Sequence, residues 1–267
     1  MNGFQVNRAH VVNVPAGEKK VFKLSIASLS TEIRCLYGHS FYDFKNYRAC
    51  FEVPDIEIDI TQKELNEESL RHSENAAPDI TVDCEKVAVT YDYGYLEPFV
   101  ALQRFADALP ALNSFLMHGS VVALDNQAYM FTAPSGVGKT TRMRLWLEAY
   151  PASIIVNGDK PVIQVREDGV FACGTPWAGK EGWNTNTMVP LRAVFLLERA
   201  EKDSIEEISL GQAFPFIIQQ IHRPDDPYAM RKTLNLIQAL QNKVKFYRFR
   251  STPTCEAVRL AYETAKP

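Results

Sequence analysis

Cysteine is sparse in this chain of 267 residues: Cys35, Cys50, Cys84, Cys173 and Cys255 lie far apart, and no two form a C-x-x-C pair. That pattern excludes a disulfide framework and a structural zinc site of ordinary ligand spacing, and it points to a reducing cytoplasm. Glycine and proline, at 13 and 15, are too few for a collagenous or low-complexity chain. No apolar run approaches the roughly 20 residues of a membrane-spanning helix. Residues 1–10 lack the charged-then-apolar layout of a signal peptide, so the expectation is a soluble, unexported, cytoplasmic protein that engages no membrane. Neither charge sign is in marked excess. The 29 basic and 32 acidic side chains leave −3, with a pI near 6.0, and this excludes the general electrostatic footprint of a nucleic-acid binder. What is present is 46% apolar content beside 23% charged, the balance of a chain with a real core. At about 150 residues per domain, the length allows one large α/β domain or a core with a sizeable appendage.

The charge is unevenly placed. Residues 52–74 carry eight acids against Lys63 and Arg71, a local charge of −6 that leaves about +3 elsewhere. A solvated strand face followed by a mobile loop accounts for it, and a docking surface for a basic partner is the alternative. The first hundred residues read as strands more than helices. Phe22, Leu24 and Ile26 share one face, Ile56, Ile58 and Ile60 alternate with acids, and Val87, Val89, Tyr91, Tyr93 and Tyr95 alternate over nine residues.

From Pro98 the period lengthens. Phe99, Leu102, Phe105 and Leu109 form a helical stripe closed by Pro110, and Met143, Trp146, Leu147 and Tyr150 form another closed by Pro151. Between them, residues 121–124 and 128–131 predict a hairpin around Asp125-Asn126. Residues 154–156 and 192–197 predict buried strands, and 162–165 with 170–172 a second hairpin around Asp168-Gly169. Later helical stripes run through Met230, Leu234 and Ile237 and through Cys255, Val258 and Tyr262. There is no internal repeat.

One stretch carries chemistry. Ala133-Pro134-Ser135-Gly136-Val137-Gly138-Lys139-Thr140 lies between a predicted strand and a predicted helix and fits the phosphate-loop pattern, with Ala133 in place of the first glycine. Gly136 and Gly138 permit positive φ and a close approach of backbone N–H groups to an anion, and the helix beginning near Lys139 points its positive end at the same place. The loop residues Pro134 to Gly138 with Lys139, Thr140 and Thr141 are therefore the candidate nucleotide-binding set. Lys139 is suited to the β and γ phosphates, and the Thr140 hydroxyl to a magnesium ion. A glycine-rich strand-to-helix turn without a ligand is the bland alternative.

The flanking residues carry a family resemblance. Met117-His118-Gly119 before the hairpin, the Ser135 to Thr140 core, and Asp159 at the end of the next strand resemble the kinase domain of HPr kinase/phosphorylase and, more distantly, ATP-dependent phosphoenolpyruvate carboxykinase. Val156-Asn157-Gly158-Asp159-Lys160-Pro161 and Gly174-Thr175-Pro176-Trp177-Ala178-Gly179-Lys180-Glu181 are similar to a group of bacterial HPr-kinase-like proteins, some associated with peptide modification. The resemblance spans roughly residues 112–267. It implies an α/β fold with a P-loop kinase core of the HPr kinase/carboxykinase type. Residues 1–111 form a strand-rich N-terminal region, suited to substrate or partner docking, that does not resemble the family's sensor domain.

The resemblance implies ATP and Mg2+ as cofactors and a γ-phosphoryl transfer to a hydroxyl, with serine favoured, on a protein, peptide or small molecule. It also implies assembly through the kinase domain. The kinases often carry two adjacent aspartates at the strand end, one a base and one a metal partner. This chain keeps Asp159 alone, so Asp159 carries both candidate roles, base and metal ligand, beside a turn-capping alternative. His118 corresponds to a histidine near the phosphates and is otherwise structural. Lys180 and Glu181, hinged by Gly179 and Gly182, are suited to closing over the acceptor, with a surface loop anchored by Trp177 and Trp183 as the alternative. Arg223 is a weaker candidate cation. The missing second acid favours an alternative in which the chain is a non-catalytic nucleotide-binding interaction protein. A carboxykinase needs metal ligands, arginines for a dicarboxylate and a longer chain, none of which stands out here.

Overall fold

The computed structural model describes residues 18–75 and 92–267, and over them the chain has a mixed α/β fold. Its internal contacts divide it into two units. One ends at Leu24 and resumes over Ser30–Arg104, and the other comprises Ser25–Leu29 and Phe105–Pro267. No helix among the described residues is long and apolar enough to cross a membrane. Cys35, Cys50, Cys173 and Cys255 are free thiols, and burial pushes those of Cys35 and Cys173 up to about 12.

The first unit is built on β1 (Lys20–Ile26), β2 (Leu29–Cys35) and β3 (Ile56–Asp59), in that order across a three-stranded sheet with β2 and β3 parallel. The expected alternation holds: Phe22, Leu24, Ile56 and Ile58 are buried while Glu57 and Asp59 face solvent. A 3-10 helix over His39–Tyr47 adds Phe41, Phe44 and Tyr47 to the core.

The rest of the acidic segment is not the expected loop but a helix, α1 (Gln62–Asn75). It starts at a reciprocal cap. The Thr61 N–H donates to Glu64 Oε2 (2.9 Å) and the Glu64 N–H to Thr61 Oγ1 (3.3 Å), satisfying donors that a helix start leaves without partners.

The strand expected over residues 87–95 does not run through Tyr93 and Tyr95. Tyr93 and Tyr95 open a helix, α2 (Tyr93–Ala108), and residues 87–91 lie outside the described residues. Asp92 turns the chain: its carboxylate accepts from the Gly94 N–H (2.7 Å) and its carbonyl from those of Tyr95 and Leu96. The buried stripe is also rotated from the expected one. Leu96, Val100, Ala101 and Phe105 are buried, while Phe99 and Leu102 are half-buried. Glu97 is fully buried on this helix. Its Oε1 accepts from the N–H groups of Leu36 (2.6 Å) and Tyr37 (3.0 Å), and its Oε2 from that of Gly38 (2.6 Å).

The second unit begins, after α2, with β4 (Ser114–Leu116), β5 (Ser120–Leu124) and β6 (Gln127–Thr132). The turn of the β5–β6 hairpin is Asp125-Asn126, as expected, with both residues at positive φ (51° and 59°). Then come α3 (Lys139–Ala149), β7 (Ile154–Asn157), β8 (Val162–Arg166), β9 (Gly169–Cys173), β10 (Met188–Arg199), β11 (Ser204–Ile208), α4 (Leu210–Gln220), α5 (Pro227–Gln238), β12 (Lys245–Ser251) and α6 (Cys255–Ala265). The sheet runs β4-β8-β9-β10-β6-β5-β7, and β12 pairs with both β10 and β11. The long β10 joins two regions. Its first residues pair antiparallel with β9, and its later ones lie between β6 and β12, parallel to both.

Alternate residues of these strands face two cores. Met130, Val194 and Leu196 pack with Ala213 and Ile217 of α4 and Ile237 of α5, whereas Phe131, Phe195 and Tyr247 pack with Trp146 of α3 and Val258 of α6. The rings of Phe131, Phe195 and Tyr247 stack across three strands at 5.1 Å each. Residues 154–156, expected as a buried strand, form the sheet edge instead. β7 pairs with the strand β5 on one side and meets residues 183–185 through isolated bonds on the other, so Val156 is fully buried while Ile154 is 44% exposed.

Because Glu97 satisfies three backbone donors, Glu97→Ala strands them in a dry site and is expected to destabilise the protein by about 3 kcal/mol. A shift in the urea unfolding midpoint measures this, and an unchanged midpoint contradicts it.

Candidate functional site

The topology gathers several chain segments at one edge of the large sheet. The parallel strands β6, β10 and β12 end there. Antiparallel β5 starts there, and β7, antiparallel to β5, ends there. Ligands of open α/β sheets bind outside the carboxyl ends of the parallel strands, and this is that edge.

Residues 133–138 leave β6 and lead straight into α3. Gly136 and Gly138 sit at φ 82° and 124°. A Cβ at either would meet nothing within 4 Å, so it is the backbone conformation, not lack of space, that calls for glycine. No side chain caps α3, which leaves its first N–H groups to water or an anion.

Two cations hold the loop's carbonyls. Lys139, buried, donates from Nζ to Ala133 O (2.9 Å) and Pro134 O (3.2 Å), and Arg199 at the end of β10 donates to Val137 O (3.1 Å) and Gly136 O. In a trans peptide the N–H points opposite to its own carbonyl, so the N–H groups of Ser135, Val137 and Gly138 are turned away from these cations. Burial pulls the Lys139 pKa down, the Asp159 carboxylate opposes that, and the Lys160 ammonium adds to it. Thr140 is half-buried at the start of α3 and Thr141 is exposed.

Asp159 follows β7 in a turn organised by Asn157, whose side chain is fully buried. Asn157 Oδ1 accepts from the N–H groups of Asp159 (2.8 Å) and Lys160 (2.7 Å), and its Nδ2 donates to Thr175 O (2.9 Å) and Oγ1 (3.1 Å). The Asp159 carboxylate is engaged at both oxygens. Oδ1 lies 3.1 Å from His118 Nε2, and Oδ2 accepts from Lys160 Nζ at 2.9 Å. Burial pushes the Asp159 pKa up, but the hydrogen bond from His118 and the charge of Lys160 outweigh it and hold the group down to about 2.

His118 is fixed at its other nitrogen as well. Nδ1 lies 3.0 Å from Gln220 Oε1 at the end of α4, the His118 N–H donates to Gln220 O, and Thr132 Oγ1 donates to His118 O. Oxygens thus face both ring nitrogens, which holds the imidazole between Gln220 and Asp159.

Residues 174–185 run beside this turn. The N–H groups of Gly158 and Thr185 donate to Trp183 O and Val156 O, and a Cβ on Gly174 would lie 1.9 Å from Thr185 O, so only glycine fits. Gly179, at φ 75°, packs on Asp159. Lys180 and Glu181 follow at the exposed tip. Glu181 pairs with Arg144 of α3 (3.9 Å), and among the described residues no hydrogen bond or ion pair joins Lys180 to the Asp159 group. Arg223 is exposed.

Two clefts flank the loop. A mostly apolar one of about 470 Å³ lies between Pro134, the end of β10 and Phe216 and Gln220 of α4. Another of about 360 Å³ is lined by Thr141, Arg142, Glu198 and Ser251.

The edge therefore brings together Lys139, Asp159 and His118, together with Lys160, Gln220 and Arg199, which the sequence reading does not single out as site residues. Lys160 was legible beside Asp159. Arg199 and Gln220 carried no local mark.

No protein-family model matches the chain, and no curated protein sequence does. Among solved structures it is similar to the HPr(Ser) kinase/phosphatase from Coxiella burnetii, at 14% identity and a TM-score of 0.33, over 55% of this chain and 86% of that one.

Asp159 is predicted to make stability pH-dependent. Its pKa is lower in the folded state than the ordinary 3.8, so its contribution is present above about pH 4 and lost as pH falls towards about 2. Asp159→Asn should then be less stable than the parent by about 2 kcal/mol at neutral pH, with the gap closing over that acid range. Urea titrations at a series of pH values measure it; a gap independent of pH contradicts the assignment.

Proposed function

We propose that the chain is an ATP-dependent kinase that transfers the γ-phosphoryl group to a hydroxyl, serine by resemblance, of a protein, peptide or small molecule. The observation that carries this reading is the meeting, at one sheet edge, of a glycine loop with its buried lysine and an aspartate held by a histidine. Phosphoryl transfer asks mainly for positioning and for charge stabilisation, and both are on hand.

In this reading the N–H groups of residues 135–140 cradle the phosphates, and Lys139 exchanges its loop carbonyls for phosphate oxygens. The acceptor hydroxyl donates to a remaining lone pair of Asp159, which has room because a carboxylate offers about four acceptor positions. The acceptor oxygen bonds to the γ-phosphorus as the bond to the β–γ bridging oxygen breaks. ADP leaves with that oxygen, and the hydroxyl proton passes to Asp159. Weak basicity of Asp159 suits a loose transition state in which the proton leaves late. His118, held by Gln220, keeps the carboxylate in place.

A Mg2+ ion would neutralise phosphate charge, and the Thr140 hydroxyl fits it as a single protein ligand, since magnesium keeps several waters and takes few protein oxygens. Asp159 fits less well, because both of its oxygens already carry a partner.

That same engagement favours the second reading, a nucleotide-binding interaction protein without turnover. Incubation with γ-labelled ATP, magnesium and a cell extract or metabolite pool separates the two. A labelled acceptor supports the kinase, and bound ATP with no labelled species supports the interaction protein. Lys139→Ala is expected to lose nucleotide binding and turnover together. Asp159→Asn is expected to keep ATP affinity within about threefold while transfer falls by about 10²-fold or more; full retained activity contradicts the mechanism.

A further inference from the structure

The strand end raises a question of charge. Both oxygens of the Asp159 carboxylate already face a nitrogen: Lys160 Nζ lies 2.9 Å from Oδ2 and His118 Nε2 lies 3.1 Å from Oδ1. Lys160 is not a mobile surface lysine that happens to lie near. Its N–H is fixed by Asn157 Oδ1 (2.7 Å), its carbonyl accepts from Thr175 Oγ1 (2.7 Å), and its side chain is 28% exposed. The strand ends adjoin, since the Gly119 N–H donates to Asp159 O (3.0 Å) and Gly119 packs on Phe131 and Thr132 at the end of β6, and the Lys139 ammonium feels both the Asp159 carboxylate and the Lys160 charge. Two half-buried or buried ammonium groups beside one carboxylate leave uncompensated positive charge next to a loop whose N–H groups are open. Such an arrangement is relieved by an anion with more charge than one oxygen can carry.

We infer that Lys160 is a resident phosphate-binding cation for the terminal phosphate of a nucleoside triphosphate. This rests on the nucleotide reading of the loop and adds to it a residue and a discrimination. The loop serves the phosphates common to ATP and ADP and Lys139 reaches across the β and γ phosphates, whereas Lys160, on the Asp159 side, meets the terminal phosphate that ADP lacks.

The test is calorimetric titration of the full chain with ATP and with ADP, each with magnesium, for the parent, Lys160→Met and Lys160→Arg. Lys160→Met is expected to weaken ATP binding at least about tenfold more than ADP binding, the scale of one charge-assisted contact, while Lys160→Arg keeps the parent's ATP-over-ADP preference within about threefold. If Lys160 merely neutralises Asp159, the methionine variant loses both nucleotides equally or neither, and the inference is overturned. If Lys160→Met does not fold, Lys160→Gln takes its place under the same criterion. A parent that binds neither nucleotide overturns this inference together with the function proposed above. A parent that binds ATP, loses it on Lys139→Ala and keeps an unchanged ATP-to-ADP ratio on Lys160→Met overturns the role of Lys160 alone.

Discussion

A buried carboxamide has two donors and two acceptor positions to satisfy, and Asn157 meets all of them with its immediate surroundings. Its oxygen takes the N–H groups of Asp159 and Lys160, and its nitrogen gives to the carbonyl and hydroxyl of Thr175. The arrangement of the edge follows from this one group. The Asp159–Lys160 turn has its shape because both N–H groups bend back to one oxygen. The segment after β9 lies against that turn because Thr175 accepts from the same amide and donates to Lys160 O. With the backbone of Asp159 held, His118 and Lys160 fix the direction of its carboxylate by engaging one oxygen each.

The sheet supplies the second half of the site by direction alone. Parallel pairing of β6 with β10 and of β10 with β12 brings the ends of three strands to one side, and the antiparallel β5 and β7 bring a start and an end to the same side. Between the stacked rings of Phe131, Phe195 and Tyr247 on one face and the α4 and α5 core on the other, the strands have little freedom to slide. A one-residue slip would exchange the two faces. Arg199 can thus reach the carbonyls of Gly136 and Val137 although it is more than 60 residues away in sequence, because β10 lies beside β6.

What was legible in the chain followed from local rules. The hairpins at Asp125-Asn126 and Asp168-Gly169, the helix after Lys139 and the buried stripe through Met143 and Trp146 are set by turn residues and by spacing, and they form where expected. The errors at α1 and α2 share a cause. In both, a cap starts a helix: Thr61 with Glu64 does so in a charge-rich stretch that reads as a loop, and Asp92 does so within the alternation that runs to Tyr95. The edge position of β7 was not legible either, since three consecutive apolar residues look the same whether one or two strands flank them.

By itself, then, the sequence determined the loop. Gly136 and Gly138 are needed for positive φ, a lysine follows them, and a helix begins, all within eight consecutive residues whose geometry is decided by bonds and torsions. Tertiary structure alone decided that Lys139, Asp159, His118 and Arg199 share one edge, that Gln220 closes the far side of the imidazole, and that Lys160 turns towards Asp159 rather than to solvent. Those partnerships join residues up to 102 positions apart, and they exist because strand direction and burial, not spacing along the chain, bring them into reach.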